Sequence, residues 1–186
     1  MIDLGTGDGR AVLARAAAEP GTMVLGIDAD ASGMAEAASR AAHAPRRGGL
    51  PNARFLVCAV EALPIELAGA ADLVTIQFPW SSLLRGLVLG EARVIEPLAS
   101  LLRPAGELRI LLSVEERDAA LGLEPLDAAA VDRVAAALAR CRLSPTELRP
   151  ASRADLEATR STWARRLGVA TGARAVWLLR FAAAAP

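Results

Sequence analysis

Lysine and tyrosine are absent from this 186-residue chain, histidine occurs once, cysteine twice, and three tryptophans with three phenylalanines supply every aromatic ring. Each scarcity removes a class of function. Cys58 and Cys141 lack metal-ligand spacing, and with His43 alone beside them they cannot build a common zinc site, so no metal is expected. Both cysteines read instead as small buried hydrophobes. His43 falls in a helix-end segment and reads as surface, which leaves few carriers for proton transfer near neutral pH. No apolar run reaches the length of a membrane span and none has the layout of a signal peptide. A cytoplasmic protein without a membrane partner is expected.

What remains is a globular composition, 53% hydrophobic and dominated by alanine and leucine. The length suits one domain with a full core, assigned to residues 1–186. The formal net charge is zero, yet it is unevenly spread. From residue 140 onward nine arginines face only Glu147, Asp155 and Glu157, a balance of +6 against −6 in the first 139 residues. A phosphate backbone responds to such a local field and not to the total. On charge alone, an RNA-binding segment and a solvated arginine-rich surface remain equally good readings.

Short apolar runs alternate with helical stretches. Strands are expected over Met1–Leu4, Met23–Ile27, Arg54–Val60, Ala71–Ile76 and Glu107–Val114, and helices over Arg10–Ala18, Ser32–His43, Glu91–Leu102 and Asp127–Arg140. Arg103-Pro104-Ala105-Gly106 is read as the stop of the third of these helices. Two final strands, Ser144–Pro150 and Arg174–Phe181, flank a helix-bearing linker and break the alternation. The result is an α/β fold with a mostly parallel sheet of seven strands, covered on both faces, whose last strand runs antiparallel.

Asp3-Leu4-Gly5-Thr6-Gly7-Asp8-Gly9 lies between the first strand and the first helix. Alternate glycines let the backbone turn sharply and approach a ligand, and the helix behind them offers free N–H groups. Dinucleotide folds use a different spacing, Gly-x-Gly-x-x-Gly; an acid followed by Gly-x-Gly-x-Gly is typical of S-adenosylmethionine (SAM) folds. Asp28 ends the second strand, where a carboxylate can accept both ribose hydroxyls, and Glu61 follows the third strand near where adenine would lie. Each acid alone has a bland reading as a cap or a solvated loop residue. Together they mark the carboxyl edge of three consecutive strands, where open α/β sheets bind ligands.

The fourth strand delivers Gln77-Phe78-Pro79-Trp80 to the same edge. Amino-methyltransferases often carry Asn or Asp at the head of this motif to receive an exocyclic amine. Gln77-Phe78 points instead to a ring nitrogen, which attacks with its own lone pair and needs alignment more than a base. Trp80 and Trp163 both sit in polar, loop-like surroundings, an arrangement suited to holding an unstacked base between two rings. Packing roles for these two remain the competing reading, and for Trp177, among Val176, Leu178 and Leu179, core packing is the better one. Arg165 and Arg166 follow Trp163 directly, and Arg46 and Arg47 lie in the loop before the third strand; all four are candidates for phosphate contacts.

Five segments carry a family resemblance: Asp3-Leu4-Gly5-Thr6-Gly7-Asp8-Gly9-Arg10, Gly48-Gly49-Leu50-Pro51-Asn52, Ala59-Val60-Glu61-Ala62-Leu63-Pro64, Phe78-Pro79-Trp80 with Ser82-Leu83-Leu84-Arg85-Gly86, and Ser161-Thr162-Trp163-Ala164. The chain resembles, along essentially its whole length, the aminoglycoside-resistance 16S rRNA (adenine(1408)-N(1))-methyltransferases. The tryptophan motifs are specific, whereas the glycine loop is shared by many SAM enzymes. The resemblance implies a Rossmann-like class I SAM-dependent methyltransferase that acts on the decoding-site adenine of 16S rRNA in the small ribosomal subunit; a monomer is expected. By position it implies that Trp80 and Trp163 stack the flipped adenine and that Ser161 orders the loop presenting Trp163. Asp3, Gly5, Gly7, Asp28, Ala59, Glu61 and Ser82 would line the cofactor pocket, and Arg165, Arg166 and Arg174 would touch rRNA; Thr6 in the glycine loop and Gln77 at the end of the fourth strand are added to the cofactor set from their positions, and Arg46 and Arg47 to the RNA set. The chain departs from the family in having only Met1 and Ile2 before Asp3, without the usual N-terminal hairpin, and in having fewer basic residues before the third strand and after Leu167. A tRNA guanine-N7 methyltransferase and a catalytically degenerate SAM- or RNA-binding protein stand as alternatives.

Overall fold

In the computed structural model of the chain, residues 1–159 and 175–185 are described. They form one sheet of seven strands in the order β3-β2-β1-β4-β5-β7-β6. The strands are β1 (Ile2–Leu4), β2 (Val24–Asp28), β3 (Ala53–Val57), β4 (Ala71–Gln77), β5 (Leu102–Leu112), β6 (Leu143–Pro150) and β7 (Trp177–Ala183). β1 through β5 pair in parallel, and β7 runs antiparallel between β5 and β6. This is the expected architecture. The strand order reverses at β1 and β4, so a crevice opens at the carboxyl ends of those two strands.

Alternation along the strands divides the sheet into two unlike faces. Val74 and Ile76 of β4, with Ile2 and Leu4 of β1, join the main core under helices α3 (Ser81–Leu89), α4 (Ala92–Ser100) and α5 (Ala128–Ala139). Leu87, Val94, Leu98, Leu108, Leu112, Leu138 and Phe181 are fully enclosed there. Each such side chain contributes about 1.5–3 kcal/mol of transfer free energy. The opposite face carries Asp3, Thr75 and Gln77. Its smaller core, Val12, Leu13, Ala16, Val24 and Ala37, lies under α1 (Arg10–Ala18) and α2 (Ala31–Ala41).

Local chemistry places the helices. Asp30 caps α2 by accepting from the Ser32 N–H, and Asp127 caps α5 by accepting from Ala130. Ser152 and Asp155 form a reciprocal capping box at α6 (Arg153–Ala158). The Asn52 side-chain amide lies 2.9 to 3.1 Å from the carbonyls of Ala16, Glu19 and Thr22, tying the end of α1 to the entry of β2.

Three details differ from the sequence reading. Arg103-Pro104-Ala105-Gly106 does not lie between helix and strand but within β5, where a register shift separates the Ala71–Leu102 pair from Leu73–Glu107. Ala105 adopts φ 61° there. The strand thus begins on the residues taken as its boundary, because a bulge tolerates proline where a regular ladder does not. Helix α3, directly behind Trp80, has no counterpart among the expected helices. Cys58 and Cys141 are half-buried, not enclosed. His43 is exposed, as expected.

Candidate functional site

The carboxyl edge of the sheet holds a cavity of about 420 Å³. Leu4 and Gly5 at the end of β1, Ile27 to Asp30 at the end of β2, Cys58 to Glu61 after β3, and Pro79 to Leu83 after β4 line it. Four consecutive strand ends thus meet at one crevice, within the size range of small-molecule sites. Gly5, Asp28, Ala59, Glu61, Trp80 and Ser82 from the sequence reading are brought together here. Cys58, Asp30, Pro79, Ser81 and Leu83 also line it. The capping role of Asp30 at the start of an alanine-rich helix was the one signal that could have found it.

Glycine is required in this loop for space as well as for conformation. Gly5 has φ 74°, and a Cβ there would meet Leu83 Cδ2 at 2.9 Å; Gly9 has φ 67°, and its Cβ would meet Phe55 and Ala37 at 2.6 and 2.7 Å. Asp28 fixes the loop's path. Its Oδ2 accepts from the Gly7 N–H at 2.8 Å and its Oδ1 from the Asp30 N–H at 2.9 Å. Both oxygens keep lone pairs for a diol. The chain then turns through Val60–Ala62 after the Cys58 N–H donates to the Asp28 carbonyl at 2.8 Å, which brings Glu61 to the rim, exposed.

Asp3 lies behind the loop, on the α1 side of the sheet, 4% exposed. Its Oδ1 accepts from Thr75 Oγ1 at 2.6 Å and from Gln77 Nε2 at 3.3 Å. Burial raises its pKa above the ordinary carboxylate value; the hydroxyl of Thr75, the nearby side chain of Thr6 and the amide of Gln77 pull it down, and the charge of Asp28 pushes it up. Thr6 Oγ1 faces this carboxyl without reaching hydrogen-bond geometry. No ion pair to Asp3 occurs among the described residues. Asp3, Thr75 and Gln77 line a second, smaller cavity of about 170 Å³ between α1 and α6, not the larger one.

Trp80 stands at the rim of the large cavity, 67% exposed, and is not the core ring that the competing reading allowed. The backbone explains its outward placement: Phe78 and Ser81, on either side of Pro79-Trp80, take φ 52° and 53°. Phe78 turns inward instead and packs with Leu111, Val176 and Leu178, against Ala151 and Leu156. Trp177 packs against the main core, as expected.

Arg46 and Arg47 are exposed in a turn after α2. α2 starts at the carboxyl edge and runs away from it, so these arginines lie at the opposite edge of the sheet, beyond a helix about 16 Å long. Ser161, Trp163, Arg165, Arg166 and Arg174 lie outside the described residues. No group of histidine, cysteine or acidic residues among the described residues could hold a metal ion, and no helix among them is long and apolar enough to cross a membrane.

The cavity suits SAM. The glycine cradle leaves no room for a Cβ at Gly5 or Gly9, a carboxylate stands at the end of β2, and a buried carboxylate with no ion pair among the described residues lies behind the loop. Comparison with known proteins agrees. The family model described as "NpmA: 16S rRNA (adenine(1408)-N(1))-methyltransferase" matches residues 1–182. A 16S rRNA (adenine(1408)-N(1))-methyltransferase of Streptoalloteichus hindustanus is 30% identical over 172 residues, covering 90% of this chain and 79% of that protein. The crystal structure of a W203A mutant of the corresponding enzyme from Catenulisporales acidiphilia, solved with SAM, superposes with a TM-score of 0.87 at 36% identity, covering 100% of this chain and 85% of that one. The antibiotic-resistance methyltransferase Kmr gives 0.81 at 39% identity, covering 100% and 86%. These relatives favour the rRNA adenine reading over the tRNA guanine alternative. The chain belongs to the NpmA family of SAM-dependent 16S rRNA (adenine(1408)-N(1))-methyltransferases.

Proposed function

We propose that this chain methylates N1 of the decoding-site adenine of 16S rRNA in the small ribosomal subunit, and so confers aminoglycoside resistance. It acts as a monomer in the cytoplasm, with residues 1–186 forming one methyltransferase domain. The observation that carries the reading is Trp80, an exposed ring at the rim of a cofactor-sized cavity. A large apolar surface held in water next to a crevice suits stacking on an extruded base.

In this reading Asp28 accepts the ribose hydroxyls, Ala59 and Glu61 border the adenine, and Gly5, Thr6, Gly7 and Ser82 enclose the methionine end. Asp3 balances the ammonium from behind the loop. When bound, SAM supplies a methyl carbon that moves to the N1 lone pair while the C–S electrons return to sulfur. The protein's own task is positional. Trp80 holds one face of the target base and Trp163 the other, with Ser161 ordering the segment that carries Trp163. Pro79 and Leu83 close the cavity wall against water. N1 uses its own lone pair, so no general base is required. Arg165, Arg166 and Arg174 hold rRNA phosphates; Arg46 and Arg47, at the far edge, would reach only a substrate large enough to wrap the sheet, as a ribosomal subunit is.

Reverse transcription of 16S rRNA from small subunits incubated with the protein and SAM tests this directly. N1-methyladenine blocks base pairing, so a SAM-dependent stop at the decoding-site adenine is expected. A stop elsewhere would move the target to another nucleotide of 16S rRNA, and none with SAM bound would move the substrate to another RNA.

A further inference from the structure

β1 and β4 are neighbours, and Asp3 pairs in register with Thr75. Thr75 and Gln77 are two residues apart on β4, so their side chains leave the same face of the sheet and converge on one oxygen, Asp3 Oδ1. Asp3 Oδ2 accepts no hydrogen bond among the described residues. One donor alone would let the carboxyl group rotate and exchange its oxygens; two donors on Oδ1 fix its plane. The arrangement has a cost, since Gln77 Oε1 is buried without a partner. An apolar side chain would fill that place without leaving an acceptor unsatisfied. The carboxamide thus supplies its N–H donor to Asp3 at that cost.

Among the described residues, the cations near this carboxyl are committed elsewhere. Arg15, Arg109 and Arg180, together with Met1, line the small cavity in front of Asp3, and Asp155 lines it from α6. Arg15 lies 3.0 Å from Glu19, Arg109 and Arg180 both bind Glu107, the Met1 ammonium donates to the Met23 carbonyl, and Asp155 binds Arg149. Asp28, from β2, adds negative charge. Among the described residues this buried carboxylate has no positive partner, and the cofactor brings one in the ammonium of its methionine end.

We propose that Gln77 is a positioning residue for cofactor binding: with Thr75 it clamps Asp3 through Oδ1, so that Oδ2 is presented as the acceptor for the cofactor's ammonium. This rests on the assignment of Asp3 to the cofactor site. Gln77 acts through Asp3 and does not itself touch the methyl group or the target base.

Calorimetric titration of the full chain with SAM and with 5′-methylthioadenosine, which lacks the amino-acid end, separates the possibilities. In the wild type, SAM affinity falls toward acid pH as Asp3 takes up a proton, and methylthioadenosine affinity does not. Gln77→Met keeps the volume and removes the donor. It is expected to shift the SAM profile to higher pH and to weaken SAM by about tenfold near neutrality, the worth of one hydrogen bond to a charged group, with methylthioadenosine unchanged. Thr75→Val removes the other donor and is expected to shift the profile in the same direction, which carries the test if Gln77→Met does not fold. An unshifted SAM profile in either variant, or an equal loss of both ligands, overturns the clamp. A wild-type chain that binds neither ligand would instead overturn the cavity's assignment to SAM.

Discussion

The Gly7 backbone N–H donates to Asp28 Oδ2 at 2.8 Å, so the carboxylate proposed to hold the ribose also holds the glycine loop. The other oxygen, Oδ1, is tied to the Asp30 N–H. Asp28→Ala removes the ligand contact and releases the loop together, and SAM affinity is expected to fall about tenfold or more by calorimetry. Asp28→Asn can satisfy only one of the two N–H groups and turns its own donors toward the other. Its loss should therefore approach that of alanine. Unchanged affinity in both variants would place the ribose elsewhere.

Asp3 is predicted to trade stability for binding. Burial raises its folded-state pKa above 3.8, so the folded protein holds a proton that the unfolded chain gives up. Stability then falls as pH rises through that window, and the ionised, buried carboxylate is a net burden on the free protein. Asp3→Asn keeps an oxygen for Thr75 and Gln77 but carries no charge. Its melting temperature should exceed that of the wild type at pH 7, and the gap should close as pH falls toward 3.8, where the wild-type carboxyl is neutral as well. SAM binding should weaken in the same variant. A lower melting temperature at pH 7 would mean that Asp3 already has a compensating partner.

Trp80 is expected to matter for the substrate and not for the cofactor. Its ring is largely exposed, so Trp80→Ala removes little core contact and should leave the melting temperature and SAM affinity nearly unchanged. Base stacking on an aromatic ring is worth about 1–3 kcal/mol, and the target adenine must also be held in line for attack. Methylation of small subunits, read by primer extension, should fall below detection or nearly so. Parallel loss of SAM affinity would show that the ring supports the cavity wall instead.

The edge of the sheet that holds the candidate site was legible in the sequence because its residues are punctuated. Glycines at alternate positions, an acid at the end of β2 and a tryptophan after a buried strand are each local signals, and the alternation of elements placed them on one edge. Two things were not local. The start of β5 was hidden because Pro104 and Gly106 read as a helix stop, yet a bulge absorbs both within the strand. Helix α3 was hidden because Ser81 opens it from a left-handed conformation and no side chain caps it. Arg46 and Arg47 show a third limit: charge is visible in a sequence, but the edge it occupies depends on the direction in which α2 runs. The end of the fourth strand places Gln77 at the cofactor edge, and only the pairing of β1 with β4 shows that its amide reaches Asp3.

Ser81 lies in a region of backbone space that favours glycine, with φ 53°. A non-glycine residue held there costs about 1–3 kcal/mol, and glycine's greater freedom in the unfolded chain returns about 0.5–1 kcal/mol of that. Ser81→Gly should therefore stabilise the protein modestly, raising the melting temperature by about 2–4 °C for a chain of this size. The same change loosens one of the two left-handed residues that bracket Pro79-Trp80. Glycine also permits backbone angles that swing the ring away from the rim. SAM affinity should hold while methylation of small subunits slows by several-fold, so that stability and rate move in opposite directions. A melting temperature that stays level or falls would show that Ser81 is unstrained, and the outward placement of Trp80 would then rest on Phe78 alone.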